Sequence, residues 1–395
     1  MSRSLGVPPV LWALLFGNFV IGTGVMVVPG TLNELSTSLQ VEVAAAGQLI
    51  SVAALVMCLG APLLAALVAG WDRRRLLSLT LLWYGLLHLA CTWASTLPSL
   101  MPLRALAVVA PAIFTPQAAA CVGLLVPPEQ RGKAITFVFL GWSVASVLGM
   151  PLAALVGGTL GWRAAFGGVG LLSLVGAAWV WRAMPDGVKP AALSRAAWGE
   201  TFRSRALMLA LLVTVLFSAG QFVLFSYFSP YWRQILGVTP SQLSLMFLAF
   251  GLFGFIGNAW MSRHIDRIGA DRAAFVSLGL IALSLAAWPL ATTMLLAVVV
   301  CIPWALGCFA SNSAQQARLV AIAPILAPAS IALNSAGMYG GQAIGAGLGG
   351  LIIQAGGMQW LNWAGLAGLL LAMAVSHRAA SAAATARRTP DPQPR

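Results

Sequence analysis

The chain has 395 residues, 60% of them hydrophobic and only 8% charged, with a mean hydropathy of +0.90. A soluble domain carries about 25% charged residues, so the composition excludes a soluble enzyme or binding module and defines an integral membrane protein. The formal charge of +13 does not call for nucleic acid or another acidic partner. If the spans alternate from a cytoplasmic N-terminus, every Lys and Arg except Arg104, Arg163 and Arg233 falls on the cytoplasmic side, as the positive-inside rule demands.

A span needs about 20 apolar residues, and on that ruler twelve helices are predicted. The first half holds 8–29, 44–68, 76–95, 102–126, 134–158 and 164–183. The second holds 207–229, 241–262, 273–290, 294–314, 327–353 and 359–377, with only Ala291-Thr-Thr between its third and fourth spans. The first run lacks an A-x-A-like cleavage site and is followed by many more spans, so it reads as an uncleaved helix. The polar stretch 184–206 is the expected cytoplasmic linker between two six-helix bundles, 1–183 and 207–378. Residues 379–395, rich in Ala, Arg and Pro, read as a disordered cytoplasmic tail. Cys58, Cys91, Cys121, Cys301 and Cys308 lie in apolar segments without metal-like spacing to His, so neither a disulfide framework nor a metal site is expected.

In the fifth span Gly141, Ala145, Gly149, Ala153 and Gly157 recur at every fourth position, with Pro151 among them. Such a stripe lets a neighbouring backbone approach closely, which is how membrane helices pack without a hydrophobic driving force. Gly337, Gly341, Gly345 and Gly349 repeat the pattern 196 residues further on. Two halves reusing one device describe a transporter scaffold.

Two basic loops also correspond: Trp71-Asp72-Arg73 after the second span, and Gly257-Asn-x-x-x-x-Arg263-x-x-Asp266-Arg267-x-Gly269 after the eighth. The latter resembles the loop motif of the major facilitator superfamily. The fifth span with Leu148-Gly-Met-Pro-Leu-Ala and Gly157-Gly158 is similar to the antiporter motif of its drug:proton antiporter branch, as are Leu125-Val-Pro-Pro-Glu-Gln-Arg-Gly-Lys-Ala134 and Gly161-Trp-Arg-Ala-Ala-Phe166. Ala314-Gln-Gln-Ala-Arg-Leu-Val320 and Leu333-Asn-Ser-Ala-Gly-Met-Tyr-Gly-Gly-Gln-Ala-Ile-Gly345 resemble the arabinose-efflux-like permeases of that branch. The resemblance implies an all-α major facilitator fold of two pseudo-symmetric bundles. It implies a gating role for Asp72, Arg73, Arg263, Asp266 and Arg267, against the plain alternative of solvated topogenic loops. It also implies that helices five and eleven pack on helices eight and two.

Arg104 occupies the place of the family's helix-four arginine, which the resemblance implies couples protonation to solute movement; an arginine snorkelling to the interface is the alternative. The acid that relatives often carry in helix one is absent: Gly22-Thr-Gly-Val-Met-Val-Val-Pro-Gly30 stands there. Glu34, beyond the end of that helix, and His88, in the third span, are the remaining titratable candidates for proton linkage, although His88 could equally serve packing. Spans one, four, seven, ten and eleven offer Asn18, Gln117, Gln221, Tyr227, Trp304, Asn312, Asn334, Tyr339 and Gln342 as a cavity set. Neutral amides and aromatics suit an uncharged or weakly polar, amphipathic solute.

No catalytic cluster, cofactor motif or metal spacing occurs in the spans, so no enzyme activity and no cofactor are expected. The expected function is export of a small molecule across the inner membrane by a monomer surrounded by lipid. The resemblance implies antiport against protons, and an uncoupled facilitator or importer is the alternative.

Overall fold

A computed structural model describes residues 8–68, 70–127, 130–189 and 195–388. In chain order its helices are α1 (Pro9–Gly30), α2 (Leu32–Leu39), α3 (Val43–Leu67), α4 (Arg73–Cys91), α5 (Leu97–Ala107), α6 (Val109–Leu125), α7 (Arg131–Val144), α8 (Met150–Leu160) and α9 (Trp162–Ala183). There follow α10 (Arg195–Arg203), α11 (Arg205–Phe225), α12 (Phe228–Leu236), α13 (Pro240–Ile268), α14 (Ala270–Ala287), α15 (Met294–Ile322), α16 (Ala327–Gln354) and α17 (Leu361–Arg388). Among the described residues ten helices are long and apolar enough to cross a membrane. The other two predicted spans, 76–95 and 327–353, coincide with α4 and α16. The helix continues through 379–388, where a disordered tail was expected; 389–395 and Glu129 lie outside the described residues.

Local chemistry sets the boundaries. Asp72, Ser204 and Thr293 cap α4, α11 and α15 by accepting a backbone N–H, and the Thr293 cap allows the very short turn at 291–293. Thr239 and Gln242 exchange bonds in a capping box that starts α13. The fourth span breaks between α5 and α6 because Pro111 has no N–H for the Ala107 carbonyl. Trp83 Nε1 donates to the neighbouring Leu106 carbonyl (2.9 Å) and steadies the break.

The fifth span is α7 and α8 joined by a π turn, Ala145–Gly149. Its cause is Pro151. The Met150 N–H bonds to Ala145 O, and the next residue that could serve the Ser146 carbonyl is a proline.

Contacts group the chain into two compact units, Met1–Ala192 with Tyr227–Gly251, and Leu193–Ser226 with Leu252–Arg395. The first unit therefore holds α1–α9, α12 and the N-terminal turns of α13. Its core, with Leu14, Ile21, Tyr84, Phe114, Val138 and Val169, lies around α1. The second unit is built on α11, packed against α16 and α17, with α14 on α15.

Equivalent positions in the halves behave alike. The chain breaks at Thr31 (φ −117°, ψ 17°) after α1 and at Tyr227 (φ −113°, ψ 19°) after α11, and a short helix follows each break.

Candidate functional site

All five small residues of the fifth-span stripe are buried, and their neighbour is α1. A Cβ on Gly141 would lie 2.2 Å from Leu15 O and 2.7 Å from Phe19 N. On Gly149 it would lie 2.1 Å from Thr23 Oγ1, and on Gly157 2.3 Å from Thr31 Cγ2. The second stripe repeats this on α11: Gly341 faces Val215 O at 2.3 Å and Gly345 faces Ala219 O at 2.4 Å. Gly349 is buried on the same helix.

The stripe glycines thus close on the first helix of their own half, while the expected packing of helix five on helix eight runs through other residues. Helix eight meets the fifth span on other atoms. Gly251 packs against Ser146 O, Ser244 Oγ donates to Pro151 O (2.9 Å), and Gly158 faces Pro240.

Arg104 is 2% exposed, so it does not snorkel. Its Nη2 donates to the carbonyls of Gly24 (2.8 Å) and Val25 (3.4 Å), tying the fourth span to α1. Its Nη1 stands 3.1 Å from His88 Nε2. A guanidinium only donates, so Nε2 accepts; His88 Nδ1 lies 2.9 Å from the Tyr84 carbonyl, which only accepts, so Nδ1 carries the hydrogen. His88 is therefore the neutral Nδ1–H tautomer, fully buried between Tyr84 and Phe166. The guanidinium lies 5.9 Å from the Phe166 ring centroid, and no carboxylate among the described residues pairs with it. Gly24 is needed here, because a Cβ would stand 2.3 Å from Tyr84 Oη.

Glu34 lies on α2, where its Oε1 forms an ion pair with Arg233 Nη2 on α12. Beside it Asn33 Nδ2 donates to Ser229 Oγ (2.8 Å), two residues exactly one repeat apart. Trp162 and Arg163 line the same cleft, of about 450 Å³. Glu34 Oε2 and Arg233 Nε are sealed without a hydrogen-bond partner among the described residues.

The gating candidates divide. Asp72 Oδ1 accepts from Arg75 N (3.2 Å) and its Oδ2 from Gly187 N (2.7 Å), while Arg73 N donates to Val188 O (3.0 Å). Arg73 is buried, with Nη1 on Val68 O and Trp71 O. Arg74 pairs with Asp186 (2.6 Å) and lies over Trp181. The first loop therefore grips the start of the linker. Arg263, Asp266 and Arg267 are exposed, and no ion pair engages them among the described residues.

The sequence reading missed Arg318, 1% exposed, which pairs with Asp271 (2.6 Å) and donates to Ser376 Oγ and O (3.0 and 2.8 Å). These contacts join α15, α14 and α17. The available signal was an arginine in an apolar helix with an acid just after Gly269.

The cavity candidates also divide. Asn18 donates to Val138 O (3.2 Å) and accepts from Thr115 Oγ1 (2.8 Å). Gln221 accepts from Trp304 Nε1 (3.2 Å), and Asn334 links Thr214 to Asn312. Gln117 and Gln342 are buried without a hydrogen-bond partner among the described residues. Tyr339 is partly buried on α16. Tyr227 sits at the break before α12, so close to Gly47 that a Cβ there would meet its Oη at 2.4 Å.

An all-helical chain of membrane spans with the same close-packed glycine device in each half is the scaffold of a membrane transporter. The sequence profile described as Major Facilitator Superfamily matches residues 14–325, and the chain belongs to that family. It is 27% identical over 370 residues to the MFS-type transporter YbcL of Bacillus subtilis, covering 93% of this chain and 94% of the relative. It is 31% identical over 286 residues to a chloramphenicol resistance protein of Streptomyces lividans, covering 71% and 72%. Among solved structures a D-xylose–proton symporter superposes with a TM-score of 0.76 at 14% identity, over 93% of this chain and 96% of that one. That likeness concerns the fold. The protein is a multi-pass membrane transporter of this family.

Proposed function

We propose that the chain exports a small neutral or amphipathic solute across the inner membrane by alternating access, as a monomer with both termini cytoplasmic. The similarity to a protein named for chloramphenicol resistance supports the outward direction. The observation that carries a coupled mechanism is Arg104, buried without a carboxylate and shared between α1 carbonyls and neutral His88. A proton arriving at His88 Nε2 removes the lone pair that Arg104 uses. It sets two cations against each other at hydrogen-bond distance, so Arg104 must withdraw and release its hold on Gly24 and Val25. In this mechanism Glu34 and Arg233 clasp the extensions of helices one and seven at the outer face. The loop at Arg263, Asp266 and Arg267 serves the cytoplasmic gate, while Asp72 and Arg73 hold the linker.

Everted vesicles loaded with a compound panel, with and without a proton gradient, test this reading. Uphill accumulation that collapses with an uncoupler is expected, and accumulation that survives the uncoupler refutes antiport. The absence of an acid in α1 favours one second reading, an uncoupled facilitator, which would equilibrate solute with or without a gradient.

A further inference from the structure

In the second unit two hydrogen-bond chains have a fixed direction. Gln315 Nε2 donates to the Ala210 carbonyl (2.8 Å), an atom that only accepts, so this amide has one possible orientation. The same nitrogen donates to Thr214 Oγ1 (3.1 Å). Thr214 therefore gives its proton to Asn334 Oδ1 (2.6 Å), and Asn334 Nδ2 donates to Asn312 Oδ1 (3.0 Å). The Asn312 carbonyl is occupied, and its NH2 group donates to nothing among the described residues.

The second chain begins at Trp304 Nε1, which only donates, 3.2 Å from Gln221 Oε1; Cys308 Sγ lies 3.3 Å from the same oxygen. This leaves Gln221 Nε2 unused. Neither nitrogen is among the polar atoms sealed without a partner, so each keeps some accessible surface. Cys308, at Gln221, and Asn312 are one turn apart on α15, about 6 Å along its axis.

The first unit closes its corresponding network. Trp142 Nε1 donates to Thr115 Oγ1 (3.2 Å), Thr115 to Asn18, and Asn18 to a backbone carbonyl. The second unit's two networks end on free donors among the described residues, and no charged residue occurs in 206–225, 294–317 or 327–354.

We propose that Gln221 and Asn312 form a two-donor site for a neutral solute bearing hydrogen-bond acceptors, such as carbonyl, ether or nitro oxygens. Unpaired amide donors in an apolar wall are costly until a solute satisfies them. A solute rich in hydroxyl groups can accept from both amides, but it brings protons of its own into a wall whose amide carbonyls already accept from Trp304, Cys308 and Asn334. The assignment deepens the export reading and rests on it for this solute being the cargo.

Equilibrium dialysis of the purified full chain in detergent tests the site with para-diacetylbenzene and the diol formed by reducing both its ketones. The diketone is expected to bind about tenfold more tightly, about 1.4 kcal/mol. Gln221→Met and Asn312→Asp should each erase that preference while still binding the diol, which shows that the variants are folded. Equal or inverted affinities, no binding of either compound, or a preference that survives both substitutions overturns the assignment. Everted vesicles separate the two ideas. Selective binding without accumulation refutes export and leaves the site standing; accumulation without selectivity does the reverse.

Discussion

Gly141→Ala and Gly337→Ala form a matched experiment, because the two glycines occupy the same register one repeat apart. Gly141 faces Leu15, Asn18 and Phe19; Gly337 faces Leu211, Thr214 and Val215, the equivalent residues. The distances differ sharply. A Cβ at 141 would sit 2.2 Å from a backbone oxygen and 2.7 Å from a backbone nitrogen, whereas at 337 its nearest neighbour is a valine methyl at 3.4 Å. Backbone cannot rotate away, so α1 and α7 would have to part by nearly an ångström, at the upper end of the roughly 1–3 kcal/mol typical of overpacking. At 337 the methyl group makes ordinary contact, and alanine's helix propensity favours the variant by up to about 1 kcal/mol. Thermal unfolding of the purified proteins should therefore show Gly141→Ala lowered by several degrees and Gly337→Ala unchanged or raised. Equal midpoints for the two variants would refute the close approach of the fifth span to α1.

Other expectations concern function. Arg104→Ala should abolish solute accumulation in vesicles at normal expression, and Arg104→Lys should restore little, because one ammonium cannot span Gly24 O and His88 Nε2 together; wild-type rates in Arg104→Ala would demote the residue to a packing element. Gly149→Leu, whose side chain would start 2.1 Å from Thr23 Oγ1, should block transport, and an active, well-expressed variant would contradict that contact. Asp72→Ala should expose the linker near Gly187 to protease while leaving the spans intact; an unchanged digestion pattern would remove the clasp from the account. Asp271→Asn should destabilise by about 1 kcal/mol, a value discounted because the carboxylate is half-exposed although Arg318 is buried. A neutral result in thermal unfolding would make that pair incidental.

Membrane character, span positions and the repeated stripes were legible because each depends on composition or spacing within one segment. Arg104 was legible for a related reason: a cation in an apolar run demands an explanation. The partners of these features were harder to read. Nothing local says that Gly149 meets Thr23 rather than a residue of helix eight, since both are apolar helices of the right length. The ion pair of Glu34 with Arg233 joins residues 199 apart, and it depends on two breaks: Pro29-Gly30 announces the one at Thr31, whereas no glycine directly precedes the one at Tyr227. Asp72 illustrates the limit differently. Its motif suggested a gate, and nothing in that motif pointed to the backbone N–H of Gly187, which carries no side-chain signature and donates to it alongside Arg75 N.

The π turn at Ala145–Gly149 also sets the phase of the fifth span. Residues four apart on an α-helix lie about 40° beyond a full turn, so over the four steps from Gly141 to Gly157 an unbroken helix would carry the last glycine about 160° around the axis. The extra residue in the π turn takes back about 100° of that rotation, and Gly157 still meets α1 at Thr31. Pro151 thus acts as a phase correction written in the backbone. Replacing Pro151 with alanine would let the turn close as regular α-helix with no residue lost, and would wind Gly157 about 100° off α1 while changing no side chain of the stripe.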